Sequence, residues 1–418
     1  MTKMDLDNAA TEQYDLLLLT DATASMSHFI RGLNKSLQEI IDLSALTACF
    51  QRIGVACYRD YKDEAVTEWS GWCSPSGVIS DDGMKSQQDI IDMASRIVAV
   101  GGNDYPEAAK SGLALAYSKM REDATTIILM YADAPPHFSG TGRSNREDEI
   151  RALRKEGGIF SEFDECFVDW ATAARTLRHG QRRAIVFPIV ASKDGYIGSF
   201  HYLAHITGGN CLDIGNVTSE TISTITVGLL LTWMREAAGE IDSGKLGYIP
   251  KYREDGNIQD PTEEDDFLLR EYFPRTLDIT ATQVVMRNVS RSPFTLHSLQ
   301  TLLTARGPRM LSLSIKYKSD VAYKELATGI LQNLIASNVT IISLNPIFGA
   351  LWRAVCNDRS NTARDKLVEA FGYQVGLISE ETERKRLKQW LEDSYDHAGE
   401  IDELIQAVEP LDIFPRFS

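Results

Sequence analysis

The sequence predicts an α/β protein with a doubly wound, mostly parallel sheet, followed by a smaller C-terminal region that is either mixed α/β or mainly helical. Two observations predict this class. Short runs of leucine and β-branched residues alternate with segments of helical periodicity, which is typical of a parallel sheet covered on both faces. Asp21 and Asp133 each follow directly after such a run. Because the carboxyl ends of parallel strands meet at one edge, both carboxylates are expected there.

The predicted domain organisation has three parts. With 418 residues, the chain is too long for one ordinary domain. We assign residues 12–242 to the α/β domain, 243–266 to an acidic linker, and 267–418 to a C-terminal region of unknown function with mixed α/β patterns. The linker prediction rests on the polar, acidic and proline-containing composition of residues 247–266.

Each element of the α/β domain is predicted from its own pattern. The predicted strands are 16–20, 51–60, 65–72, 125–131, 183–191 and 211–214. The predicted helices are 26–43, 86–98, 108–120, 163–177, 199–206 and 218–238. The second and third strands follow one another without a helix, which indicates a hairpin at the sheet edge. The polar, glycine-rich residues 139–158 are predicted to be an excursion from the fold.

The C-terminal patterns are weaker. Two predicted strands, 311–317 and 339–344, flank a predicted helix at 321–336 and would form one βαβ unit. Further helices are predicted at 348–356 and 361–371, and from about residue 379 to Pro410.

Composition and charge restrict the possible partners. The chain has 43 Lys and Arg against 59 Asp and Glu, a formal net charge of -16, which disfavours nucleic acid and anionic membranes as partners. The six cysteines lack the CxxC spacing of zinc sites and of disulfide frameworks. The longest apolar stretch, 225–234, is shorter than the roughly 20 residues of a membrane-spanning helix. We therefore expect a soluble, cytoplasmic protein without membrane insertion.

The residues after the first strand carry oxygen ligands suited to a divalent cation. Asp21, Thr23 and Ser25 alternate with alanines, so one short loop can point three oxygens in one direction. Mg²⁺ prefers oxygen ligands and needs only one or two carboxylates with hydroxyls and water. Glu107, before a small-residue helix, and Asp133, after a strand, are the natural additions. Asp60 and Asp63 are more distant and are not included, and His137 is expected to be an ordinary loop histidine.

These residues resemble the von Willebrand factor type A domain with its metal-ion-dependent adhesion site, whose signature is Asp-x-Ser-x-Ser and which reads DATAS here. The resemblance covers residues 13–239 and implies a Rossmann-like fold. The third-loop aspartate of the family matches Asp133. The second loop, GGNDYPEA, lacks the usual threonine and is similar to those of integrin β subunits and of A domains attached to alpha-type protein kinases. Glu107 matches that loop directly, whereas Asp104 is an alternative ligand or a ligand to a second ion.

The resemblance implies a non-enzymatic, divalent-cation-dependent protein-binding module. In that family the bound Mg²⁺ keeps one coordination position open, and an acidic side chain of a protein partner fills it. Mn²⁺ and Ca²⁺ are alternative ions here. Three other interpretations stay open: ordinary helix capping by the loop oxygens, a regulatory A domain of a metal-dependent hydrolase or phosphotransferase, and a metal-free degenerate scaffold. No phosphate-binding loop, kinase catalytic loop or GxSxG elbow is present, so no catalytic residue is predicted. The oligomeric state and the partner stay open.

Overall fold

The computed structural model of the chain describes residues 13–77, 83–102, 106–137, 149, 151, 164–167, 170–191, 197–209, 211–214, 218–237 and 310–396. The predicted linker at 243–266, and all of the predicted excursion at 139–158 except residues 149 and 151, lie outside these ranges. The chain divides into two compact units. Of the described residues, 42–47, 227–237 and 310–396 belong to the second unit and the others to the first.

A six-stranded sheet forms the centre of the first unit. Its strands are β1 (Tyr14–Asp21), β2 (Arg52–Tyr58), β3 (Thr67–Cys73), β4 (Thr125–Ala132), β5 (Arg183–Val190) and β6 (Leu212–Asp213). They lie in the order β3-β2-β1-β4-β5-β6, with β3 antiparallel to β2 and the other neighbouring pairs parallel. This arrangement confirms the predicted fold class and the edge hairpin. The strand order reverses between β1 and β4, and such a switch point is where open α/β sheets bind ligands.

Helices follow the predicted order. They are α1 (Ser27–Thr47), α2 (Gln87–Arg96), α3 (Ala109–Lys119), α4 (Asp164–Phe167), α5 (Trp170–His179), α6 (Ile197–Thr207) and α7 (Ser219–Ala237). Within the helix predicted at 163–177, the structure describes α4 and the greater part of α5. The other helices match their predictions to within a few residues, which is the usual uncertainty of a helix end.

Both faces of the sheet are covered. The small residues of α3 are buried and pack on one face together with Phe167 and Trp170. On the other face, Phe29 of α1 makes an edge contact with Tyr131 of β4, and Thr226 of α7 lies 2.8 Å from the Tyr131 hydroxyl. Burial on both faces explains why β1 contains a continuous leucine run without alternation.

The described residues after 309 are helical, so the strands predicted at 311–317 and 339–344 are wrong. The helices are α8 (Met310–Ser319), α9 (Val321–Leu344), α10 (Pro346–Asn357), α11 (Arg364–Leu377) and α12 (Glu381–Asp396). No βαβ unit occurs in this described range, and within it the mainly helical alternative for the C-terminal region is correct. The β-branched run at 339–344 is the part of α9 after Asn338, and its residues Val339 and Ile342, three positions apart, are both buried. Tertiary packing therefore overrides local β-propensity.

Helix α9 has a kink at Asn338, with φ -160° and ψ 85°. The predicted helix ends two residues before this kink, so the sequence pattern located the break but assigned a strand to residues that are helical. Among the described helices, α9 is the one whose length and composition would allow it to cross a membrane. Core helices of globular proteins have the same properties, and α9 buries a stripe of residues against α8, α10 and α11.

Candidate functional site

Three segments meet at the carboxyl edge of the sheet, beside the switch point. The first follows β1, the second precedes α3, and the third follows β4. Backbone hydrogen bonds join the second and third: Glu107 N–H donates to Pro135 O at 2.9 Å, and His137 N–H donates to Glu107 O at 3.2 Å. The first segment is held by Ala22 N–H, which donates to Tyr58 O at 2.8 Å. These backbone hydrogen bonds therefore fix the positions of the Cα atoms from which the polar side chains of all three segments extend.

Asp21 is fully buried at the end of β1. Its Oδ1 accepts hydrogen bonds from Thr23 N–H and Thr23 Oγ1–H, both at 2.8 Å. Its Oδ2 has no hydrogen-bond partner in the described part of the chain. Burial raises the pKa of Asp21 to about 7, and the charge of Asp133 acts in the same direction, against the bonds from Thr23.

Glu107 is the second buried carboxyl group, and it is 4% exposed. Its Oε2 is buried without a hydrogen-bond partner among the described residues. Burial is the largest cause that raises its pKa to about 10, followed by the charges of Asp21, Asp60 and Asp133. The carboxyl groups of Asp21, Glu107 and Asp133 are thus close enough to disfavour one another's ionisation.

Gly102 defines the space between the first two segments. Its φ of +78° is a conformation that glycine adopts readily. A Cβ at this position would lie 3.2 Å from Glu107 Oε1 and 3.2 Å from Thr23 Cβ. The side chains of Glu107 and Thr23 therefore both lie close to Gly102, which has no side chain to separate them.

The structure brings together Asp21, Thr23, Glu107 and Asp133 of the predicted set. Asp133 is half-buried. Ser25 is exposed in a 3-10 turn at Ala24–Met26, and no hydrogen bond joins it to the other predicted ligands in the described structure. Thr23 precedes that turn, but its side chain makes no capping hydrogen bond. The Thr23 hydroxyl therefore does not act as a helix cap. Asp104 lies outside the described residues.

Sequence reasoning set aside two residues that border the site. Asp60 is fully buried, and its Oδ1 accepts a hydrogen bond from Tyr61 N–H at 2.7 Å and lies 3.2 Å from His137 Nε2. His137 is also buried and stacks at a tilt on the Tyr61 ring. The position of Asp60 just after β2, the strand beside β1, is the signal that places it at this edge.

The donor set consists of oxygen atoms and does not form an all-protein metal cage. In the part of the chain that the structure describes, no group of three or more His, Cys, Asp and Glu side chains is arranged to hold a metal ion. Mg²⁺ is commonly held by one or two carboxylates and several waters. The buried oxygens Asp21 Oδ2 and Glu107 Oε2, together with the Thr23 hydroxyl, meet that smaller requirement.

Comparison with known proteins found one curated relative that matches most of the chain. It is the putative ariadne-like RING finger protein R811 of Acanthamoeba polyphaga mimivirus, 27% identical over 411 residues. The match covers 96% of this chain but 37% of the relative, so the chain spans little more than a third of that protein. No protein-family model matches the sequence.

Two solved structures show limited similarity. One is a von Willebrand factor type A protein from Catenulispora acidiphila, with a TM-score of 0.30, 14% identity, and coverage of 51% of this chain and 40% of that chain. The other is proximal thread matrix protein 1 from the mussel byssus, with a TM-score of 0.31, 11% identity, and coverage of 53% and 48%. These scores are too low to support an argument, and the fold assignment rests on the strand order described above.

Proposed function

We propose that the first unit is a divalent-cation-dependent protein-binding module. Asp21 and Thr23 would hold the ion with Glu107 and Asp133, directly or through water. The observation that supports this proposal is the convergence of three carboxyl groups at the sheet's switch point, with two buried carboxylate oxygens that lack partners in the described chain. Mg²⁺ is the proposed ion, with Mn²⁺ and Ca²⁺ as alternatives. Ser25 is proposed to contribute through water.

Charge explains why a cation would bind. Without one, burial and mutual repulsion raise the pKa of Asp21 to about 7 and that of Glu107 to about 10, so protons neutralise part of the cluster near neutral pH. A divalent cation can replace those protons and supply the positive charge. Bound by few protein ligands, it would remain attractive to an incoming carboxylate, and the proposed partner is therefore a protein that presents an acidic side chain.

The RING finger named in the viral relative is not proposed for this chain. RING sites bind structural zinc through closely spaced Cys and His ligands. Here the six cysteines lie far apart in the sequence, and none of them, all within the described residues, forms a disulfide. A binding module that occupies part of a longer protein is consistent with this pattern. Cysteines outside disulfides suit a reducing compartment, and we propose a cytoplasmic location.

A cation titration tests the proposal. Mg²⁺ is added to chelator-stripped protein, and thermal stability is measured for the parent and for Asp21→Asn. Binding to the folded state should stabilise the parent by about 2.7 kcal/mol at a hundredfold excess over the Kd, and the variant should lose that response. Asp15→Asn is the matched control, because Asp15 is a buried carboxylate of the same strand at its opposite end. A parent without any cation-dependent shift would contradict the proposal.

A second candidate is a scaffold that works without metal. The observation in its favour is the absence, among the described residues, of a complete His, Cys, Asp and Glu ligand group. In that case the site would be stable without metal, with its carboxyl groups protonated. One measurement distinguishes the two candidates, namely the affinity for the partner with and without a chelator. The chelator should change this affinity only if the module is cation-dependent.

We propose no catalytic role. The alternative, a regulatory domain of a metal-dependent hydrolase or phosphotransferase, predicts turnover of a phosphate ester or ATP by the full chain with Mg²⁺. Measurable turnover that is lost in Asp21→Asn would favour that alternative.

A further inference from the structure

Tyr58 lies directly beside the proposed cation site. It is the last residue of β2 and pairs in register with Asp21 of β1, so both side chains point to the same face of the sheet. That face is covered by α3, whose Gly112 lies against the Tyr58 ring: a Cβ on Gly112 would be 2.5 Å from Tyr58 Cδ1. The close contact holds the ring in place between the end of β1 and the start of α3.

The hydroxyl group of Tyr58 is buried but unpaired. Tyr58 is fully buried, and its Oη has no hydrogen-bond partner within the described structure. Burial and the charges of Asp21, Glu107 and Asp133 raise its pKa well above the usual value, so the phenol keeps its proton. A buried O–H donor without an acceptor is costly, and two carboxylate oxygens of the site, Asp21 Oδ2 and Glu107 Oε2, are acceptors without a partner in the described chain. The charges of Asp21 and Glu107 act on this phenol, so an oxygen ligand placed between these two carboxylates is a suitable acceptor for its hydrogen bond.

We propose that Tyr58 is a positioning residue of the cation site, whose hydroxyl donates a hydrogen bond to a carboxylate or water that coordinates the ion. This inference rests on the proposed function. The proton stays on the phenol throughout, and the tyrosine orients an oxygen ligand without binding the metal itself. Second-layer hydrogen bonds of this kind orient metal ligands, and their loss typically lowers metal affinity by about 10- to 100-fold.

The test compares two tyrosines that differ in one respect. Tyr131 is buried in the same sheet, but its hydroxyl lies 2.8 Å from Thr226 Oγ1 and is therefore satisfied. Calorimetric titration with Mg²⁺ and Mn²⁺, and melting in the presence of a chelator, are carried out on the parent, Tyr58→Phe and Tyr131→Phe. Phenylalanine retains both rings and their packing, and far-ultraviolet circular dichroism verifies the fold of each variant.

The proposal predicts opposite results for the two variants. Tyr58→Phe should bind both ions at least about tenfold more weakly, while its metal-free melting temperature stays the same or rises, because an unpaired buried hydroxyl is removed. Tyr131→Phe should melt at a lower temperature and bind both ions with parent affinity. Ion addition should also perturb tyrosine absorbance in the parent, and this perturbation should be smaller in Tyr58→Phe.

Three outcomes would overturn the inference, and they can be told apart. If the parent binds the ions and Tyr58→Phe binds them equally well, the positioning role is wrong while the cation site stands. If the parent binds neither ion, the proposed function fails, and the role of Tyr58 fails with it. Should Tyr58→Phe not fold, an unchanged tyrosine absorbance in the ion-loaded parent would overturn the role of Tyr58 by itself.

Discussion

Asp15 and Asp21 are both fully buried on β1, six residues apart, yet their surroundings are opposite. Asp15 Oδ2 accepts hydrogen bonds from Arg52 Nε at 3.0 Å and from Arg121 Nε at 2.9 Å. The Asp21 carboxylate accepts hydrogen bonds from Thr23 alone among the described residues. One end of the strand pairs its carboxylate with two arginines, whereas the carboxylate at the other end lies near the like charge of Asp133.

Replacement of Asp15 should destabilise the protein without an effect on cation binding. Asp15→Asn leaves two half-buried guanidinium groups without their carboxylate, and we expect a loss of about 3 kcal/mol in the free energy of unfolding. Urea denaturation measures this loss. The Mg²⁺-dependent stabilisation should equal that of the parent, and a variant with parent stability would show that the two arginines are adequately hydrated without Asp15.

Replacement of Asp21 should have the reverse effect. Asp21→Asn removes a buried charge that the fold compensates poorly, so the metal-free protein should be at least as stable as the parent at pH 8. Its response to Mg²⁺ should disappear. Calorimetry with and without chelator measures both quantities, and a large loss of metal-free stability would mean that the bonds from Thr23 outweigh the cost of burial.

The metal-free protein should lose stability as the pH rises. The folded-state pKa values of Asp21, about 7, and Glu107, about 10, lie above those of the unfolded chain. Stability is therefore greatest below a pH of about 4 and declines until the pH has passed through the folded values, with a slope of about 1.4 kcal/mol per pH unit for each group that is ionised in the unfolded chain and still protonated in the fold. Saturating Mg²⁺ should flatten this decline. Urea denaturation across the pH range is the measurement, and stability that increases from pH 5 to 8 without metal is incompatible with the site described.

A pair of glycines distinguishes backbone strain from obstruction of the site. Gly102→Ala places a Cβ next to Glu107 and Thr23, whereas Gly83→Ala places one in open space, although both glycines have a positive φ. Each variant should lose about 1 kcal/mol because alanine disfavours that conformation. Only Gly102→Ala should also weaken the response to Mg²⁺. Equal cation affinities in the two variants would show that the space above Gly102 is not used.

The helical unit should depend on one aromatic stack. The Phe371 ring lies between those of Trp352 and Trp390, with centroid distances of 4.7 and 5.8 Å. Phe371→Ala should therefore cost about 3 to 5 kcal/mol and reduce the near-ultraviolet circular dichroism of the tryptophans. Tyr373→Ala on the same helix is the control, since Tyr373 is 67% exposed and should change stability by no more than about 0.5 kcal/mol.

The sheet and one edge of the site were predictable because they follow from local rules. A leucine run is buried on both faces of a parallel sheet, and residues that follow parallel strands share an edge, which places Asp21 and Asp133 together. The contact between Asp60 and His137 joins residues 77 positions apart and depends on how the loops pack, which no local pattern reveals. The strand predicted at 339–344 failed for a related reason, since a six-residue apolar run has too few positions to distinguish the two periods.

The hydrogen bonds between Glu107 and the segment after β4 are made by the backbone. Side chains at this edge can therefore be exchanged without removing the links that hold the segments together. A carboxylate could be replaced by an amide, a thiol or an imidazole while the chain path stays the same. This makes the edge a natural starting point for redesign, in which new combinations of side chains are tried on an unchanged backbone to build sites for softer metals than the proposed Mg²⁺.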